Sequence, residues 1–342
     1  MLLLLVWALL AALSIATSVI DSSGRRLGAV ADRASQRLWP FEARAWTPAL
    51  LNNPAPPCPV TNGVVDASRC GGGFNPVNAT LALRSALSSG AHTVRVPAMG
   101  GQPWHVAPIP GTDPICPVDV KQWGHCPALH LFNLTDLTLV LEPGTELLAI
   151  RGAFRNPNAV MIRVEYCRNL SIIGSGAAIR MWREDIMDPA QHYIHSENRG
   201  GIAVYDSSMV SITGLEISYT GGDGLYLEDV NDTVVSTVNC HHNYRQGLSV
   251  ASATNLLVAD STFSDTNGTA PMCGVDLEPD WPFYRLSNIS FVRCDFSRNA
   301  NCGFVMNPYV ITSGFSAWNP THGFGANDNQ SISVTLDGCT LA

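Results

Sequence analysis

A Gly-apolar-x-apolar unit recurs through the second half of the chain, and a repeat of this kind leaves few folds open. The units are Gly201-Ile202-Ala203-Val204, Gly224-Leu225-Tyr226-Leu227, Gly247-Leu248-Ser249-Val250, Gly274-Val275-Asp276-Leu277 and Gly303-Phe304-Val305-Met306, spaced by 23, 23, 27 and 29 residues. A second strand pattern follows inside the units, as in Val210-Ser211-Ile212, Asn255-Leu256-Leu257-Val258 and Asn288-Ile289-Ser290-Phe291. Period-2 alternation sends Leu225 and Leu227 one way and Tyr226 and Glu228 the other, so every turn supplies an inward aliphatic row. Strands at this period without helical periodicity predict an all-β solenoid, a single-stranded parallel β-helix whose rungs stack about 4.8 Å apart. A β-sandwich, the competing architecture, does not require a ladder of the same glycine and apolar positions.

Upstream, residues 92–97 and 137–141 read as earlier rungs, and a helical stretch around Asn78 to Leu87 is placed as a short N-terminal capping helix. Long loops interrupt the rungs at Met99 to Cys126 and Trp182 to Gly200. The β-helix domain is expected over residues 58–342. The strand pattern Ile332-Ser333-Val334 approaches Ala342 with no closing pattern, so a C-terminal cap is expected to be lacking. The open end would be covered by another chain, by the final residues folding back, or by sequence beyond Ala342. Residues 1–20 carry an apolar run from Leu2 to Leu13 and a small-residue Ala16-Thr17-Ser18 site, which reads as a signal peptide or, if retained, a signal anchor. Residues 21–57 have no clear period and read as a linker or poorly ordered arm.

Secretion to an extracellular, oxidising setting is the expectation, with membrane anchoring only if the first segment is kept; a cleaved signal leaves no stable membrane span. Ten cysteines agree, because their spacing suits disulfides and buried thiols better than zinc. Cys273 and Cys302 each precede an aligned glycine, so they are expected to stack on neighbouring rungs and bond. Cys58 with Cys70 and Cys116 with Cys126 are local bridge candidates, while Cys240 and Cys294 fall on inward positions as buried thiols. Of seven Asn-x-Ser/Thr sites, several open strands and serve turns; Asn267, in a Gly-containing loop, is the best glycan acceptor. Acidic residues outnumber basic ones 28 to 20 and Lys121 is the only lysine, which argues against a nucleic-acid partner.

From about Asp66 to Ala342 the chain resembles the pectin-lyase-like superfamily of right-handed parallel β-helices, which includes polysaccharide lyases and glycoside hydrolases. Gly222-Asp223-Gly224-Leu225-Tyr226-Leu227 and Gln246-Gly247-Leu248-Ser249-Val250 are similar to two polygalacturonase segments, a Gly-Asp-Asp strand start and a Gly-His-Gly turn. The doubled aspartate keeps one carboxylate here, and Gln246 stands at the histidine position. Where polygalacturonases carry Arg-x-Lys to grip a uronate, this chain has Asp276-Leu277-Glu278. That reversal would repel a uronate and favours a neutral or locally cationic sugar.

Glycoside hydrolysis needs an acid and a carboxylate flanking one bond. Asp276 and Glu278 share one strand face, with Cα atoms roughly 6.6 Å apart; Glu228 lies two rungs from Glu278, about 9.6 Å away. Asp223 begins the same sheet. The expectation is that Asp223, Asp276 and Glu278 form the catalytic set on an exposed groove, with Tyr226, Ser249 and Asp276 in one solvent-facing column and short Ser249 leaving space for a sugar. Tyr226, Glu228, Arg245, Gln246 and Trp281 are the substrate-binding candidates, Trp281 offering a stacking face. The loop from Trp182 through His192, His195 and Glu197 could wall the groove. No cofactor or metal site is expected, although the same carboxylates could bind calcium. The polysaccharide partner is thus expected to meet a glycoside hydrolase; the alternatives are a lyase or epimerase on uronates and a non-catalytic glycan-binding or structural β-helix.

Overall fold

The computed structural model describes residues 58–109, 126–281, 284–306 and 332–341. The chain divides into two units, Met1–Asn52 and Asn53–Ala342. The signal segment 1–20 and the whole arm at 21–57 lie outside the described residues, as do Cys116 and Asn329.

Seven parallel strands form the sheet that carries the repeat: β1 (Cys126–Phe132), β2 (Ala159–Glu165), β3 (Ile202–Tyr205), β4 (Leu225–Glu228), β5 (Leu248–Val250), β6 (Cys273–Leu277) and β7 (Cys302–Met306), stacked in chain order. The register follows the sequence repeat: Ile162, Ile202, Leu225, Leu248, Val275 and Phe304 are successive partners. The second strand of each turn builds the facing sheet, where Leu139, Ile172, Ile212, Val235, Val258 and Phe291 align in the same way. These two inward columns are buried apart from Phe304, and each fully buried aliphatic side chain contributes roughly 1.5–3 kcal/mol. The fold is the expected right-handed parallel β-helix.

The glycine of each repeat is required by crowding between rungs. A Cβ on Gly201, Gly224, Gly247 or Gly274 would lie 2.6–2.8 Å from the carbonyl oxygen of the next glycine in the column. Any side chain there would push neighbouring turns apart, so the glycine ladder sets how closely they stack.

Helix α1 (Thr80–Leu87) packs against the first strand of the repeat sheet, where Arg84 donates from Nε to the Ala128 carbonyl at 2.7 Å and from Nη2 to that of Pro127 at 2.9 Å. The edge carbonyls of β1 are thus satisfied by the capping helix. Cys273 and Cys302 are bonded and in register, and Cys58 bonds Cys70. Cys240 and Cys294 are buried free thiols. Asn169 and Asn288 adopt left-handed backbone, and their amides donate to Asp136 and Asn255 on the preceding turn. These two sequon asparagines therefore serve the turns, whereas Asn267 is exposed.

Candidate active site

On the outer face of β4, β5 and β6, Tyr226, Ser249 and Asp276 occupy one column, as the register requires. The expectation of an exposed groove is not met. Asp276 is 0% exposed, Asp223 5% and Glu278 8%, and Ser249 is fully buried. The reason is Arg245, whose side chain fills the space that Ser249 leaves. Its Nη1 lies 3.1 Å from Asp223 Oδ2, 3.3 Å from Ser249 Oγ and 2.9 Å from Glu278 Oε1, while Nη2 lies 2.6 Å from Glu278 Oε2. Its Nε faces Glu197 Oε2 at 3.3 Å. One guanidinium thus binds three carboxylates from three separate segments.

Gln246 is also corrected by the structure. It is completely buried, donating from Nε2 to Asp276 Oδ2 at 3.0 Å and accepting at Oε1 from the Cys273 amide at 2.8 Å. Both ends of the carboxamide are engaged, so Gln246 positions Asp276 and is not placed to touch a ligand. Its own amide donates to Asp223 Oδ1 at 3.1 Å. Arg245, buried, hydrogen-bonds Asp223 and Glu278 through its Nη atoms, while its Nε makes no hydrogen bond. Glu228 turns away from them, accepting from the Tyr226 hydroxyl at 2.9 Å and the Tyr284 hydroxyl at 2.5 Å. Trp281 is half-buried on the segment leaving β6.

Burial dominates the acid–base character of the cluster. It pushes Asp276 up to about 8, with Glu278 beside it adding to the rise and Arg245 opposing it. Asp223 is pushed to about 7 by the same burial, again against the pull of Arg245. Asp280 is raised to about 6 by burial and by Glu278. Asp276 Oδ1 is buried without a hydrogen-bond partner. An orphaned carboxylate oxygen in such a place is costly, whereas a protonated one keeps a donor in reserve. Among the described residues no group of three or more His, Cys, Asp or Glu is arranged to hold a metal ion, and the guanidinium occupies the centre of this acidic set.

Several members escaped the sequence reading. Asp280 is one. Glu197 lies on the loop expected to wall the groove, and the structure explains how that loop arrives. Asn198 and Arg199 pair antiparallel with Gly222 and Gly221, and a Cβ on Gly222 would stand 2.1 Å from the Glu197 carbonyl oxygen. The Gly221-Gly222 pair therefore reads, in retrospect, as a seat for another backbone. Further along the face, Glu165 meets His130 Nε2 at 3.3 Å and Arg163 Nε at 2.9 Å. Burial would raise Glu165, but the hydrogen bonds from His130 and Arg163 outweigh it and hold the carboxyl at about 2. The Arg163 guanidinium lies 3.8 Å over the Tyr205 ring, which sits 5.5 Å from Tyr226. An aromatic and charged strip thus runs from β1 to the acidic cluster.

This architecture defines a right-handed parallel β-helix with an acidic, arginine-tied cluster on its repeat sheet. Residues 177–341 match the family described as right handed beta helix region. Among curated proteins none matches the chain. Of solved structures, it is similar to a candidate glycosyl hydrolase from Parabacteroides merdae, at 14% identity and TM-score 0.41, covering 62% of this chain and 88% of that one. It is also similar to a tailspike capsular polysaccharide depolymerase from the Acinetobacter baumannii bacteriophage Fri1, at 12% identity and TM-score 0.35, covering 82% of this chain and 47% of that one. A third is the A-module of a mannuronan C-5 epimerase from Azotobacter vinelandii, at 12% identity and TM-score 0.27, covering 78% and 92%.

Proposed function

We propose that the chain is a secreted glycan-active enzyme, a glycoside hydrolase on a neutral polysaccharide, with Asp276 as general acid. The observation that carries this reading is the pairing of a buried, proton-retaining Asp276, whose Oδ1 receives no hydrogen bond, with the Glu278 carboxylate held by Arg245. In this scheme the Asp276 proton passes to the glycosidic oxygen as the bond to the anomeric carbon breaks. The Glu278 carboxylate stabilises the positive charge that develops there, water then bonds to the anomeric carbon and returns a proton to Asp276, and Asp223 is the third acid of the set. Asp276 is fully covered here, so the scheme requires Arg245 to move off Ser249; sugar would then approach from the side of Glu197 and Trp281, where the cluster retains exposure, with Glu197 50% exposed. Carboxyls outnumber the single guanidinium, which favours a substrate without its own carboxylates. Disulfides at Cys58–Cys70 and Cys273–Cys302 suit an oxidising compartment, and no helix among the described residues is long and apolar enough to cross a membrane.

A second reading, a non-catalytic glycan-binding β-helix, is favoured by the closure of Arg245 over Ser249 and Asp276. A lyase or epimerase would need a cation for the uronate, and Arg245 is already committed. A panel of neutral and acidic polysaccharides tests the proposal. New reducing ends that vanish in Asp276→Asn support it; unsaturated ends absorbing in the ultraviolet, or retention without turnover, would replace it with elimination or binding.

A further inference from the structure

Cys294 and Cys339, both unbonded, face each other across the last two described turns. The register on either side is continuous: Val292 partners Asp337, and Asp295 bridges Thr340 in parallel. The Thr340 amide donates to the Cys294 carbonyl at 2.8 Å, and the Arg293 amide to that of Asp337 at 2.8 Å. Cys294 is therefore opposite Cys339, and in-register residues on parallel neighbours point the same way. Both point inward: Cys294 is 2% exposed and Cys339, half-buried, packs against the core cluster. The Cys339 thiol donates to the Phe291 carbonyl at 3.5 Å, on the turn that carries Cys294. The already oxidised pair Cys273 and Cys302 has this same arrangement, parallel and in register, with Cα atoms 4.5 Å apart. That spacing lies in the ordinary disulfide range.

We infer that Cys294 and Cys339 are a disulfide-forming pair that fastens the strand Val334–Asp337 to the turn before it. The oxidant is a low-molecular-weight disulfide of the secretory environment. The Cys339 thiolate, on the more accessible side, attacks one sulfur of that reagent and expels a thiolate, leaving a mixed disulfide on Cys339. Cys294 then loses its proton and attacks the Cys339 sulfur, forming the intramolecular bond and expelling the second thiolate. Two protons and two electrons leave the protein, and the reagent is reduced to two thiols. Burial, together with the Cys339 sulfur beside it, pushes the Cys294 thiol up to about 11, so Cys294 is slow to ionise and its in-register contact with Cys339 carries the second step.

The test is peptide mapping of the full chain made in an oxidising compartment, alkylated after denaturation without reductant. The expected result is a linked peptide joining Cys294 to Cys339, two hydrogens lighter than its separate parts, with Cys240 and Cys167 alkylated. Recovery of Cys294 and Cys339 both alkylated, alongside an intact Cys273–Cys302 peptide, would overturn the inference. Cys339→Ala, a change at a half-buried position, should convert Cys294 from protected to fully alkylated; continued protection of Cys294 there would show pairing elsewhere and equally defeat it.

Discussion

Arg245 and Glu278 meet through two parallel hydrogen bonds, Nη1 to Oε1 at 2.9 Å and Nη2 to Oε2 at 2.6 Å, and both side chains are about nine-tenths buried. A fork of this geometry is strong, and it is also hard to break at one end. Arg245→Met would leave Asp223 and Glu278 desolvated with no cation. The expected cost is about 3–5 kcal/mol, read as a fall in the urea midpoint. An unchanged midpoint would mean that the cluster admits water freely.

Asp276→Asn separates chemistry from packing. Asparagine can still accept from Gln246 Nε2 but cannot transfer a proton. Turnover on the true substrate should fall by about 10²–10⁴ while substrate binding is retained. Full activity in this variant would remove Asp276 from the mechanism.

The same residue sets a pH dependence of stability. Asp276 titrates near 8 in the folded chain and Asp223 near 7, against roughly 3.9 for an unperturbed aspartate. Between those values the folded chain holds more protons than the unfolded one, so stability falls as pH rises through the window. Melting temperatures should therefore decline from about pH 4 to about pH 8, and Asp276→Asn should flatten the decline. If Asp276 acts as the acid, activity is lost on the same alkaline side.

Gly247→Ala tests the ladder. The new methyl would lie 2.6 Å from the Gly274 carbonyl oxygen and 2.7 Å from Phe263 Cβ, with little room for either to retreat. Destabilisation of about 1–3 kcal/mol or more is expected in chemical denaturation, whereas alanine at exposed Gly268-flanking positions such as Asn267 should be silent apart from the loss of any glycan attached there.

The stacking of the repeat sheet was legible because each inward side chain repeats a single requirement, visible in Leu225, Leu248 and Val275 alike. The disulfide at Cys273 and Cys302 followed from the same register. Exposure of the acids was not legible, because alternation separates core face from outer face and says nothing of what lies on the outer one. Arg245 precedes β5 by a few residues, and only its long, flexible side chain decides whether it points to water or lies across Ser249. Asp280 lies just beyond the last strand-like residue, and Glu197 arrives from a loop with no period. Pairing of that loop with Gly221-Gly222 depends on contacts distant in sequence.

The glycine column means that this solenoid gauges its turns by contact and not by residue count. Turns of 23, 27 and 29 residues meet at the same close glycine-to-carbonyl approach, with the surplus looped outward. The turn from Gly247 to Gly274 gains its extra length outside the aligned strands β5 and β6, and the Ser249–Asp276 pairing is undisturbed. Length changes in such loops can therefore reshape what borders the acidic cluster while the acids keep their spacing.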